Sequence, residues 1–216
     1  IGKDILWFHT VYWPAFLLSA GIDIPKTVFA HGWWTFNNEK ISKSRGKVIN
    51  VDELIAIAGV DSARYFLLRE ASFGEDGDFS EDALIERHNN ELANKLGNLV
   101  SRTRALAEKY GITKTDKKLL KKLKLKEIEK NLEEFRTDKA LNEIFAFIDV
   151  CNEYIQDKKP WETKDKKVLN ELVEAIREIA RLLSPFIPES AEKISEIFKS
   201  DNIKKAPILF QKVEDK

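Results

Sequence analysis

From residue 84 onward the chain alternates apolar and polar positions with the period of a helix. Leu84, Ile85, His88, Leu92, Leu96, Leu99 and Leu106 recur at spacings of mostly three and four residues. This predicts one long amphipathic helix that ends at Tyr110 and is closed by Gly111. Ser80, followed by Glu81 and Asp82, supplies its N-cap and first-turn acids. A second helical pattern runs from about Lys126 to Asp157 through Ile128, Leu132, Phe135, Leu141, Ile144, Phe145, Ile148 and Ile155. A third runs from about Asp165 to Leu183 until Pro185 and Pro188 break it, and a short helix follows to about Phe198. Residues 207–213 read as extended, in the manner of a terminal strand. The sum is a helical bundle.

The pattern differs before residue 75. Thr27 to Phe36 is an apolar run of strand composition, and Asn37-Asn38 is a turn signal. Asp52 reads as the N-cap of a helix Glu53–Ala58, closed by Gly59. Ser72 to Phe79 is a connector rich in Gly and Asp, and four of the five tryptophans precede it. The chain therefore divides into residues 1–75 and 76–216.

Composition fits a soluble, helix-rich, globular chain of one or two domains: 216 residues, 43% hydrophobic and 33% charged. No long uncharged apolar stretch predicts a membrane span. Basic and acidic residues balance at 36 each, so any contact with nucleic acid must be local. The lysines from Lys114 to Lys126 read as a solvated face, with Glu127, Glu129, Glu133 and Glu134 cancelling much of their field within about 8 Å. The single cysteine, Cys151, excludes an internal disulfide and reads as a buried structural thiol in a reducing compartment. The chain holds no methionine, which predicts a fragment or a trimmed subunit.

One stretch reads as chemistry and not packing: Lys40-Ile41-Ser42-Lys43-Ser44-Arg45-Gly46-Lys47. Lys40 and Lys43 are compact cationic donors suited to phosphate oxygens, and Ser42 and Ser44 add neutral ones. Gly46 permits backbone angles that let the loop bend. A cationic loop of this kind can stabilise charge that develops on a polyphosphate during reaction. By composition alone it also reads as a lysine-rich surface turn.

Its setting between a hairpin and a helix start resembles the Lys-Met-Ser-Lys-Ser loop of class I aminoacyl-tRNA synthetases, with Ile41 at the methionine position. Residues Ile1 to Leu17, with Gly2-Lys3-Asp4, Phe8-His9 and Trp13-Pro14-Ala15, resemble the methionyl branch of that family. There the matching residues form a wall of the amino-acid pocket, so the resemblance implies that Asp4, His9 and Trp13 help hold methionine. Taken without the resemblance, His9 reads as a hydrogen-bonded core histidine and Trp13 as a core aromatic. Asn94 to Arg102 resembles the helix that contacts the CAU anticodon, and Pro160-Trp161 resembles its aromatic partner. Asn98 and Arg102 lie four apart and share a helix face. An asparagine amide suits a base edge, an arginine fork pairs or stacks, and Trp161 can stack on an unpaired base. Spacing alone leaves these three as exposed helix polars and a packed loop aromatic.

The resemblance implies a mainly α chain: the remnant of a Rossmann-type α/β catalytic domain followed by an anticodon-binding helix bundle. It implies part of a methionine–tRNA ligase, a cytoplasmic enzyme that joins methionine to tRNA(Met) using ATP with Mg2+ as substrate. Lys40 and Lys43 would be the catalytic residues, and Lys40, Ser42, Lys43 and Ser44 the ATP-binding ones. No metal site is expected in this chain. The family's His-Ile-Gly-His signature and its cysteine-rich zinc knuckle are missing. The chain is thus expected to need an N-terminal catalytic half as partner and to be inactive alone. The alternatives are an inactive tRNA-binding or assembly module, and a synthetase for another aliphatic amino acid.

Overall fold

A computed structural model of the protein describes residues 1–36, 39–40 (backbone only) and 50–214. The signature loop, residues 41–47, lies outside the described residues. The described residues nearest to it are Lys40, in a strand, and Asn50, in a helix cap.

The N-terminal segment is helical from Lys3 to Ser19: a 3-10 turn (Lys3–Ile5), a π-helical turn (Phe8–Tyr12) and α1 (Trp13–Ser19). Of the apolar run 27–36, only β1 (Trp34–Phe36) is a strand, and a single parallel bridge joins His31 to Gly2. β1 pairs antiparallel with β2 (Glu39–Lys40) and parallel with β3 (Gly77–Phe79). β3 lies in the stretch expected to be pure connector. It is too short and too rich in Gly and Asp to show a strand period. Gly32 is required where the two segments approach, since a Cβ there would sit 2.0 Å from the Glu75 carbonyl oxygen.

α2 (Val51–Ala58) starts two residues earlier than predicted. Its cap is Asn50, not Asp52: the Asn50 side chain accepts from the Asp52 amide at 3.2 Å, and Glu53 reaches back to the Asn50 amide. Gly59, at φ 85°, ends α2 and starts α3 (Val60–Glu70), a helix the pattern did not reveal. Leu54, Ala63, Phe66 and Phe79 form a small core under the sheet with Leu84 of α4 (Glu81–Arg87).

The helix predicted from 80 to 110 is present and capped as expected by Ser80 and Gly111. Its middle, His88–Gly97, is π-helical between α4 and α5 (Asn98–Tyr110). Its buried residues are His88, Leu92, Leu96 and Gly97. After a 3-10 turn (Lys118–Lys122), the second pattern splits into α6 (Leu125–Glu133) and α7 (Thr137–Lys158). Phe135 breaks it at φ 59°, because its ring packs against Phe29 of the N-terminal segment at 4.9 Å. α8 (Pro160–Thr163), α9 (Lys166–Leu183) and α10 (Pro188–Ile197) complete the bundle. α9 contributes the most buried face, including Leu169, Leu172, Val173, Ile176 and Ile179.

The tail 203–214 forms no strand. It is tied down by side chains instead: Asn89 brackets Val213 with two hydrogen bonds, and His88 meets the Gln211 carbonyl at 2.7 Å. Cys151 is fully buried and burial pushes its thiol up to about 12, so it is the inert structural cysteine expected. Among the described residues, no helix is long and apolar enough to cross a membrane.

α3 is tied to the helices that follow it. Glu91 accepts from Tyr65 and Arg69 of α3 and from Arg87 of α4. Arg69 also donates to Asn142 at 2.5 Å and to the Asp138 carbonyl at 3.2 Å, both on α7. Burial alone would raise the Glu91 carboxyl, but these donors and the two guanidinium charges outweigh it and hold it below the usual range.

Candidate functional site

Arg102 and Trp161, which lie 59 positions apart in the sequence, meet on the surface of the bundle. The Arg102 guanidinium lies over the Trp161 ring, 5.4 Å from its centre, and donates to Gln156 of α7 at 3.1 Å. Local chemistry places Trp161. Lys159 adopts φ 44° and ends α7; Pro160 has no amide hydrogen to continue that helix but suits the first position of α8. The ring is thereby laid half-buried against the bundle core and under Arg102. Asn98 sits one turn before Arg102 on α5, exposed, and its amide has no hydrogen bond among the described residues. The patch offers a flat π face, a guanidinium and a free amide, which is the chemistry an unstacked base requires.

A polar seam supports the patch. Lys95 pairs with Asp149 at 2.7 Å, and Asn152 donates to the Lys95 carbonyl at 3.3 Å. Asp149, Asn152 and Gln156 thus hold residues 95 to 102 through three successive contacts. Sequence reasoning missed all three. The signal was there, a polar stripe at spacings of three and four inside an otherwise apolar helix.

The second group lies in the N-terminal segment. His9 donates from Nδ1 to the Ile5 carbonyl at 2.9 Å. The His9 ring meets Trp13 edge to face at 5.8 Å. These two residues therefore share a face. Neither is a core residue: Trp13 is 44% exposed, with Phe8, Phe16 and Leu18 exposed beside it. Asp4 is exposed on the preceding 3-10 turn, and its carboxylate makes no ion pair or hydrogen bond with either of them. Lys3 is engaged elsewhere, with Asp76 at 2.5 Å and over the Trp33 ring at 4.3 Å. The backbone of Lys40 lies in β2, opposite Thr35; Ser42, Lys43 and Ser44 fall outside the described residues.

Two families match the chain. Residues 1–104 match the family described as tRNA synthetases class I (M), and residues 116–214 match the anticodon-binding domain of tRNA ligase. The chain belongs to the class I tRNA synthetases of the methionyl type. It is 44% identical to a methionine–tRNA ligase of Fusobacterium nucleatum, with 90% of this chain and 34% of the relative covered. It is also 44% identical to the Rickettsia felis enzyme of that name, covering 90% of this chain and 42% of the relative. Among solved structures it resembles the apo methionyl-tRNA synthetase of Mycobacterium tuberculosis, with a TM-score of 0.85 and 30% identity over all of this chain and 49% of that one. It resembles the complex of that synthetase with methionyl-adenylate at a TM-score of 0.84 and 37% identity, over 91% and 43% of the two chains. The chain thus spans between about a third and two-fifths of the curated relatives it matches.

For a synthetase of this type the arrangement is coherent. The anticodon-binding family covers Trp161 and α7 to α10, while the class I family covers the His9–Trp13 face, the signature loop, Asn98 and Arg102. The patch at Arg102 and Trp161 therefore straddles the two matched regions, and α3 with Glu91 braces them.

Proposed function

We propose that the chain supplies three parts of a methionine–tRNA ligase: the signature loop, one wall of the methionine pocket, and the reader of the tRNA(Met) anticodon. The domain division runs near residue 75. The observation that carries this reading is the Arg102–Trp161 pair with Asn98 one turn away, on a bundle of the anticodon-binding family.

In this reading, ATP enters with Mg2+ as substrate, and the methionine carboxylate attacks the α-phosphorus. The bond to pyrophosphate breaks, giving methionyl-adenylate. The ammonium groups of Lys40 and Lys43 stabilise the charge that collects on the departing pyrophosphate, with Ser42 and Ser44 as neutral donors. Such positioned charges act most strongly where water is excluded. The exposed indole of Trp13 closes on the methionine side chain, whose polarisable thioether suits an aromatic face. His9, fixed by the Ile5 carbonyl, orients that indole, and Asp4 pairs with the substrate ammonium. In the second step a terminal tRNA hydroxyl displaces AMP and takes the aminoacyl group. Asn98, Arg102 and Trp161 select which tRNA is presented.

The exposed aromatic and aliphatic side chains of residues 5–18 fit this assignment, since a pocket wall needs an opposing wall. An N-terminal catalytic half, on the same polypeptide or another, would supply it. The test is complementation. The chain alone is expected to give no methionine-dependent exchange between ATP and pyrophosphate, and to restore aminoacylation of tRNA(Met) when mixed with an N-terminal synthetase half. Exchange by the chain alone, or no restoration despite a stable complex of the two halves, contradicts the proposal.

A further inference from the structure

Lys118 and Lys122 of the lysine run are exposed, as the sequence reads, and they also line a recess. A cavity of about 500 Å3 opens between the 3-10 turn 118–122, the end of α7 and the first turns of α9. Lys118, Lys122, Lys158 and Lys167 line it, and none of the four forms an ion pair among the described residues. Lys158 has only the face of Tyr154, at 5.8 Å from the ring centre. Three carboxylates also line the cavity, but two are already committed. Asp165 caps α9 through the amides of Lys167 and Val168, at 2.8 and 3.3 Å, and Glu171 accepts from the Tyr154 hydroxyl at 3.1 Å. The lining thus carries four ammonium groups against three carboxylates, and of the three only Asp116 makes no side-chain hydrogen bond among the described residues.

The backbone around this cavity is unusual. Among the described residues, four other than glycine have positive φ, and three of them are lysines at its rim: Lys117 at 55°, Lys159 at 44° and Lys164 at 54°. Each adjoins a lining residue, respectively Lys118, Lys158 and Asp165. Glycine is the low-strain choice at such turns. A lysine there holds a charge at a conformational cost; Lys117 and Lys159 pair theirs with Glu174 and Glu162.

The cavity and the base-reading patch share one helix end. Gln156 of α7 holds Arg102, Lys158 enters the cavity two residues later, and Trp161 follows Pro160 on α8. A strand passing around this end would lay bases on Arg102 and Trp161 and its backbone on the lysines. We infer that the cavity is a phosphate subsite, gripping the RNA backbone next to the loop that Asn98, Arg102 and Trp161 read. The inference rests on that reading of the patch and adds a site to it.

The test compares the unaltered chain with Lys118→Gln/Lys122→Gln/Lys158→Gln in binding a CAU anticodon stem-loop across a range of salt. The variant is expected to bind roughly tenfold more weakly near physiological salt, and its slope of log K against log salt is expected to be shallower by about 2, the value for three lost single-strand phosphate contacts. The loss is expected to be equal for a stem-loop with a changed anticodon, and the triple Lys→Arg variant should keep the original slope. An unchanged slope and affinity in the Gln variant overturns the subsite while leaving the base-reading patch standing. Failure of the unaltered chain to bind any stem-loop overturns both. Titration with pyrophosphate and ATP separates a small-anion site: binding of either that the Gln variant loses, with RNA binding unchanged, also overturns the inference.

Discussion

Glu91→Ala is expected to destabilise the chain by about 3 kcal/mol, the lower end of the range for breaking a buried pair by removing one partner. The reason is what stays behind. Tyr65 is fully buried, Arg69 is 12% exposed as a side chain, and both would lose their shared acceptor. Arg87 would keep Glu70, at 2.5 Å, so the damage centres on α3. Glu91→Gln retains an acceptor for Tyr65 and should cost less. Urea unfolding followed by circular dichroism checks this, and a loss below about 1 kcal/mol would remove Glu91 from its bracing role. The sign with pH is fixed by the depressed carboxyl. Its folded value lies below the unfolded glutamate's ~4.3. The stabilisation is therefore complete above that value and is lost as pH falls through the lower folded one. Glu174, held down by Lys117 and Arg177 against the opposing effect of its burial, acts in the same direction. The unaltered chain should thus lose stability below about pH 4 more steeply than Glu91→Ala.

Trp161→Ala is expected to weaken binding of a CAU anticodon stem-loop by about 1–3 kcal/mol, or roughly 5- to 150-fold. The substitution removes the stacking face and also frees Arg102 from its position over the ring. Trp161→Phe keeps an aromatic face and should recover part of the affinity. Because the ring also packs on the bundle core, binding is to be measured well below the melting temperature of each variant. An alanine variant that folds and binds as the parent does would leave Trp161 with packing alone.

Much of this was legible in the sequence. The existence of the long helices followed from apolar spacing, and the ends at Ser80 and Gly111 followed from capping chemistry. Periodicity failed where tertiary contacts decide. Phe135 sits on the helical period yet breaks the helix to meet Phe29. α3 was hidden because Gly59 and mixed polarity mask its start, and because it buries Asp61 and Ser62 along with Ala63, Tyr65 and Phe66. Asp61 is buried there to accept from the Ser190 amide near the start of α10, a partner 129 positions away that no local pattern signals. The candidate site shows the same division. The spacing of Asn98 and Arg102 put them on one face, but only the resemblance named Trp161 as a partner. Gln156, Asn152 and Asp149 went unnoticed because a polar stripe between two helices has the spacing of a solvent-facing one. The lysines at 118 and 122 lost their cavity to the same ambiguity, since composition does not record which way a turn points its charges.

The central claim is that Asn98, Arg102 and Trp161 together read an anticodon. The most direct measurement is the affinity of the unaltered chain for an anticodon stem-loop carrying CAU, against stem-loops in which each anticodon base is changed in turn. The account predicts that CAU binds best and that changing at least one anticodon base costs tenfold or more, with the difference abolished in Trp161→Ala/Arg102→Ala. Equal affinity for all loops, or a preference that survives in the double variant, would contradict it.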